Sequence, residues 1–177
     1  MASKLRVDHI EPVGGVPTGG GGGIIQLVST IKTDTVSLSM ATTTESGVYM
    51  ATSITPRSAS NKILIQVCMN MGFSNNGTVG MILTKGGSTL TASTGAASSN
   101  RKRVSAANHT TNTARDFQIF YTYLDSPLTT SATTYGVKFS HAENGTETLY
   151  INRNATDSDS NLTQKPASTL TLMEVSG

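Results

Sequence analysis

Glu143 and Glu147 are the residues whose type and spacing most directly suggest a reaction. They flank Asn144-Gly145, a turn-forming pair, so a hairpin there would let them face one another. Two facing carboxylates serve glycoside hydrolysis, one as general acid and the other as nucleophile or base. Two glutamates beside a turn are more commonly just solvated, and that reading is preferred. Asp157-Ser158-Asp159-Ser160-Asn161 follows the D-x-D-x-N opening of a calcium loop. Its sixth position is Leu162 where a helix-loop-helix site wants Gly, and its twelfth is Ser168 where it wants a bidentate Glu. A polar turn between strands is therefore expected there. His9, His109 and His141 lie far apart, none with a second ligand at metal spacing. The single cysteine, Cys68, has no obvious activating partner and is expected in the core or at an interface. No catalytic residue, metal ligand or cofactor is expected.

Two further segments carry candidate binding chemistry. Gly19-Gly20-Gly21-Gly22-Gly23 would suit a phosphate loop only with a Gly-Lys-Ser/Thr after it and a strand before it, and it has neither. Five consecutive glycines read instead as a flexible tether. Residues 1–18 ahead of it form an arm. Leu5 and Val7 alternate with charged residues as in an extended strand, and Pro12 and Pro17 oppose a helix. Such an arm docks by adding a strand to a partner or filling its groove. Leu5, Val7, Ile10 and Val13 are the apolar groups that would offset an ordering cost of roughly 1–2 kcal/mol per residue. Arg101, Lys102 and Arg103 form a candidate patch for an anionic partner such as a polysaccharide or a capsid surface. Three charges in a loop more commonly confer only solubility.

The whole composition narrows the class. Of 177 residues, 13 are Lys or Arg and 11 are Asp or Glu, or 14% charged with a net charge of +2. Ordinary soluble domains are about 25% charged. Thr, Ser and Asn number 28, 21 and 11, a third of the chain, and there is no Trp. A helical bundle would be rich in Ala, Glu, Lys, Leu and Arg. A nucleic-acid binder would carry a basic stripe. One cysteine permits neither an intrachain disulfide nor a thiolate cluster. No apolar run approaches the ~20 residues of a membrane helix, and residues 1–12 hold no apolar core of signal-peptide length. Neither nucleic acid nor membrane is expected as a partner, and synthesis in the cytoplasm is expected. Five Asn-x-Ser/Thr sequons, at Asn76, Asn108, Asn144, Asn154 and Asn161, carry no weight without an export signal.

The elements that would position these residues are strands. Ile24–Thr30 reads as a strand with apolar residues on both sides. Ile63, Ile65, Val67, Met69 and Met71 occupy every second position. Phe117, Ile119, Tyr121 and Tyr123 repeat the pattern, as do Tyr135, Val137 and Phe139, and then Leu149 and Ile151. Residues 169–175 are apolar on parts of both faces and read as a central strand. Asn75-Asn76-Gly77, Lys85-Gly86-Gly87, Asp125-Ser126-Pro127 and Asn144-Gly145 supply turns. Lys85-Gly86-Gly87-Ser88 and Asn144-Gly145 are both expected to close hairpins. Residues 91–114 hold almost no large apolar side chain and are expected as a long exposed loop or edge contributing little to the core. Seven to nine short strands describe an all-β chain, a jelly-roll-like antiparallel β-sandwich over 24–177, preceded by the arm (1–18) and tether (19–23).

Several segments, taken in order, resemble a group of small bacteriophage virion proteins common in phages of aquatic bacteria, of tail-fibre-like type. Residues 3–12 read SKLRVDHIEP ahead of a Gly-rich tether, and residues 53–65 read SITPRSASNKILI at the start of a strand. Tyr123-Leu124-Asp125-Ser126-Pro127 and Ser131-Ala132-Thr133-Thr134-Tyr135 follow. Tyr150-Ile151-Asn152-Arg153 and a closing STLTLMEV over 168–175 complete the series. The resemblance implies a jelly-roll domain in a homotrimeric virion protein of fibre, spike or decoration type, with no enzyme activity and no cofactor. It implies the virion as location, other virion proteins of tail or capsid as partners, and host surface glycan as a candidate target. A short tail-associated fibre docked by its arm is the favoured position. Capsid decoration, stabilising the head, is the alternative. A carbohydrate-binding or hydrolytic β-sandwich is the third reading, weakened by the absence of Trp for sugar stacking.

Overall fold

The structure, a computed structural model, describes residues 23–160 and 163–177. The arm residues Leu5, Val7, Ile10 and Val13 and the tether residues Gly19, Gly20, Gly21 and Gly22 lie outside the described residues. Gly23 lies inside them, exposed, with its carbonyl accepting the Ser176 N–H at 3.2 Å.

A period of two makes the strands. In β4 (Lys62–Phe73), Ile63, Ile65, Val67, Met69, Met71 and Phe73 are all buried, and the residues between them turn to the opposite face. β5 (Gly77–Lys85) buries Val79, Met81 and Leu83, and β9 (Thr133–His141) buries Tyr135, Val137 and Phe139. β10 (Thr146–Ile151) buries Leu149 and Ile151, and β11 (Ser168–Val175) buries Leu170 and Leu172. These side chains form one core, each contributing about 1.5–3 kcal/mol by leaving water. The other strands are β1 (Ile24–Lys32), β2 (Val36–Ala41), β3 (Met50–Ile54), β6 (Ser88–Thr89), β7 (Ala106–Thr110) and β8 (Phe117–Asp125).

All pairings are antiparallel and fall into two sheets. In the first, β4 carries β8 along one edge. Its other edge is shared: β11 pairs with Lys62–Cys68 and β10 with Met71–Phe73. β1 lies outside β11, and β2 outside β10. In the second sheet β9 lies between β3 and β5, and the far edge of β5 carries β7 and β6. Eight strands thus run β2-β10-β4-β8 and β3-β9-β5-β7, and every connection among them except β5 to β7 crosses between sheets. That winding is a jelly roll. β1 and β11 add an outer pair to the first sheet.

One local expectation needs correction. Asn144-Gly145 is a turn, with Gly145 at φ +91, but it joins β9 of the second sheet to β10 of the first and closes no hairpin. The turn residues supply the reversal, while the free edges of β4 and β2 decide where β10 pairs. Lys85-Gly86-Gly87-Ser88 does close a hairpin: Lys85 pairs with Ser88, and Gly86 and Gly87 take φ of +59 and +81. Residues 91–114 form an edge that contributes little to the core, the second of the two forms expected of them. They hold a 3₁₀ turn (Thr91–Ser93) and all of β7, whose small residues Ala106 and Ala107 obscure it as a strand.

The stretch before β7 roofs the outer face of the second sheet. Val104 sits over Gly80, where a Cβ would fall 2.5 Å from its Cγ1. Ile82, on the same outward side, is fully buried. Val48 covers Gly136 in the same way, at 2.8 Å. Glycine is required at both places by the close approach of a second layer of chain.

Candidate functional site

The basic patch is held by local bonding. The Ser93 and Ser105 hydroxyls lie 2.9 Å apart, Ser105 Oγ accepts the Leu83 N–H at 3.0 Å, and Tyr121 donates to the Ser93 carbonyl at 2.8 Å. These bonds pin both ends of the segment that carries Arg101, Lys102 and Arg103. Arg103 Nε donates to the Gly95 carbonyl at 2.6 Å. Lys102 pairs with Glu45 at 2.6 Å, and Lys138 pairs with the other oxygen of the same carboxylate. The Lys102 and Lys138 ammonium groups hold the Glu45 carboxyl below the usual glutamate value. Arg101 is exposed and makes no ion pair among the described residues. The three cations therefore line one cleft of about 420 Å³, with Thr43, Glu45 and Asn100, but two of them are committed to the protein's own groups. No aromatic ring lines this cleft.

His9 and Asn161 lie outside the described residues, whereas Glu143, Glu147, Asp157, His109 and His141 each have a structural partner. Glu143 Oε1 accepts the Thr78 N–H at 3.2 Å. Glu147 accepts from Ser74 Oγ at 2.7 Å and Asn75 Nδ2 at 2.9 Å, and these bonds lower its pKa. A general acid needs a raised value. Both glutamates thus brace the turn between β4 and β5. Asp157 faces Arg153 and Lys165, each at 3.6 Å, cations that a calcium ion would have to displace. Among the described residues no group of three His, Cys, Asp or Glu side chains is placed to hold a metal, and no helix is long and apolar enough to cross a membrane. His141 is buried, donates from Nε2 to the Met40 carbonyl at 2.8 Å, and packs against Phe73. His109 Nδ1 lies 3.1 Å from the Thr78 hydroxyl. Cys68 is half-buried on the face of β4 turned away from the core, and burial raises its thiol pKa.

Two sites escaped the reading of the sequence. The first is Glu174, which has no solvent exposure. Its Oε1 accepts from Asn61 Nδ2 at 2.6 Å and from the Arg57 N–H at 2.7 Å, and its Oε2 accepts from Gln26 Nε2 at 2.6 Å. Burial pushes this carboxyl up, but bonds from Asn61, the Arg57 N–H, Gln26 and the Ser58 N–H hold it below the ordinary glutamate value. The segments at 53–65 and 168–175 thus meet at this carboxylate. A lone acid in an apolar strand was the available signal. The second is the outer face of the first sheet. Arg153 and Asn154 cover it near Gly72, but across β1, β11, β8 and the Lys62–Cys68 part of β4 it exposes Leu27, Ile31, Phe120 and Leu124. Alternation marked one apolar face per strand as core; it gave no reason to combine the other faces.

Comparison with known proteins finds no family model and no curated protein that match the chain.

Proposed function

We propose that the protein is a non-enzymatic structural component of a bacteriophage virion, a homotrimeric short tail fibre or spike docked through residues 1–18. The observation that carries this reading is the unequal finish of the two outer sheet faces. The chain covers Gly80 and Gly136 on one and only the Gly72 end of the other, whose remainder over β1, β11, β4 and β8 is apolar in part and carries uncharged rows. An open face of that kind is characteristic of a subunit in an assembly. The ordered segments that resemble phage virion proteins supply the location. Two of these segments meet in the body, where Asn61 donates to Glu174. Loops at the end of the sandwich, including exposed Arg101, face the host surface and its glycans in this reading.

The test is immunogold labelling of purified phage with antibody against the body. Gold on the tail supports the fibre. Gold over the whole head replaces it with capsid decoration, and phage without label refutes a virion role. The capsid reading draws on one feature of the fold: the described residues form a single two-sheet sandwich.

A further inference from the structure

We propose that the outer face of the first sheet is the surface through which copies of this chain join one another, a proposal that rests on the homotrimer above. Antiparallel register sets the outward residues of four strands side by side. Leu27 of β1 stands opposite Met173 of β11, Met173 opposite Leu64 of β4, and Leu64 opposite Leu124 of β8. Two residues further along, Ser29, Thr171, Gln66 and Thr122 form a polar row. Two further still, Ile31, Thr169, Cys68 and Phe120 form a row that is apolar at three of its four positions. With strands about 4.8 Å apart, each row runs about 14 Å across the sheet, and neighbouring rows lie about 7 Å apart. Exposure is 55% at Leu27, 64% at Ile31, 60% at Phe120 and 46% at Leu124. Single exposed apolar residues are ordinary, but apolar rows continuous over four strands mark a surface built to be covered.

Charge decides what covers it. These three rows contain no charged residue, and Lys62, beside Val175 at one end of the face, stands outside them. A charged partner would find no counter-charge here. The chain's own arm is a poor cover, because Lys4, Arg6, Asp8 and Glu11 interrupt its apolar residues and would lie unpaired on neutral ground. A second copy brings the same banding at the same spacing. Around a three-fold axis parallel to the strands each row keeps its height from copy to copy, so apolar rows meet apolar rows, and hydroxyls and amide meet groups that both donate and accept. The second sheet is a poorer candidate, since Val104 and Val48 cover Gly80 and Gly136 on its outer face.

Cys68, the single thiol, lies within these rows and reports on them. The experiment is light scattering of the native full chain and of the double variant Leu27→Glu, Leu124→Glu, with maleimide labelling of Cys68 in each. Both substituted positions are exposed, so cooperative unfolding should persist; Ser29→Glu replaces Leu27→Glu should that variant fail to fold. The expected result is three times 18.5 kDa for the native chain and 18.5 kDa for the variant. Labelling should be at least ~10-fold faster in the variant, because thiol reactivity follows access. A native trimer with a variant that is still trimeric overturns this face and leaves the trimer standing. A native monomer overturns both. If Leu5→Asp with Val7→Asp in the full chain speeds labelling at unchanged mass, the arm covers the face and the proposal falls.

Discussion

Replacing Glu174 with Gln changes one oxygen to an amide nitrogen at a site with no exposure. Its retained Oε1 still accepts from Asn61 Nδ2 and the Arg57 N–H, but as a neutral acceptor. Its new amide nitrogen faces Gln26 Nε2, donor against donor. Gln26 cannot turn its amide without loss, because the same Nε2 also donates to the Thr55 carbonyl at 2.7 Å. A bond to a charged acceptor contributes about 1.5–3 kcal/mol and a neutral one about 1 kcal/mol. Relief of the buried charge offsets part of the loss, so the net cost should be about 2–3 kcal/mol. For a chain of this size that corresponds to a Tm lower by roughly 4–12 °C. The sign of the pH dependence follows from the direction of the shift. The folded carboxyl lies below the ordinary glutamate value, so its contribution is complete above that value and is lost as pH falls through the folded pKa. Circular dichroism melts of the native chain and E174Q should therefore differ most at neutral pH and converge in acid. Equal Tm values at neutral pH, or a gap unchanged in strong acid, would refute the reasoning.

Asn152 is fully buried at φ +56 and donates to the Lys32 and Asp34 carbonyls at 2.8 and 2.9 Å, so Asn152→Ala should cost about 2–4 kcal/mol in urea unfolding. Gly80→Val should destabilise by about 1–3 kcal/mol and speed proteolysis between residues 94 and 103, because its side chain lifts Val104 off the sheet. Glu45→Gln should change stability by at most about 1 kcal/mol but lengthen retention on a heparin column, since Lys102 is released beside Arg101; unchanged retention would show that Lys102 finds another partner.

The all-β class was legible because strand periodicity is local: Ile63 to Met71 and Tyr135 to Phe139 carry their inward faces in plain alternation. β2, with Val36, Leu38 and Met40, carries the same signal in a weaker form, and β7 carries none, since Ala106 and Ala107 present too little side chain to mark a face. Turns were legible as reversals. Gly86-Gly87 and Asn144-Gly145 both take positive φ at glycine, yet one closes a hairpin and the other crosses the sandwich. Local turn chemistry is the same in both, so the difference lies in which strand edge is free to pair. The candidate sites show the same limit. Arg101, Lys102 and Arg103 read as one patch until Glu45, more than fifty residues away, is brought beside Lys102.

By itself, then, the sequence determined the strands' inward faces, the reversals and the scarcity of charge, because each depends on neighbours along the chain. Tertiary structure alone decided that β11 and β10 share one edge of β4, that Glu174 sits among Gln26, Arg57 and Asn61, and that residues before β7 roof one sheet. It also decided that the outward residues of β1, β11, β4 and β8 line up in rows. A row across a sheet is set by the register between strands, and register is a relation between residues distant in sequence.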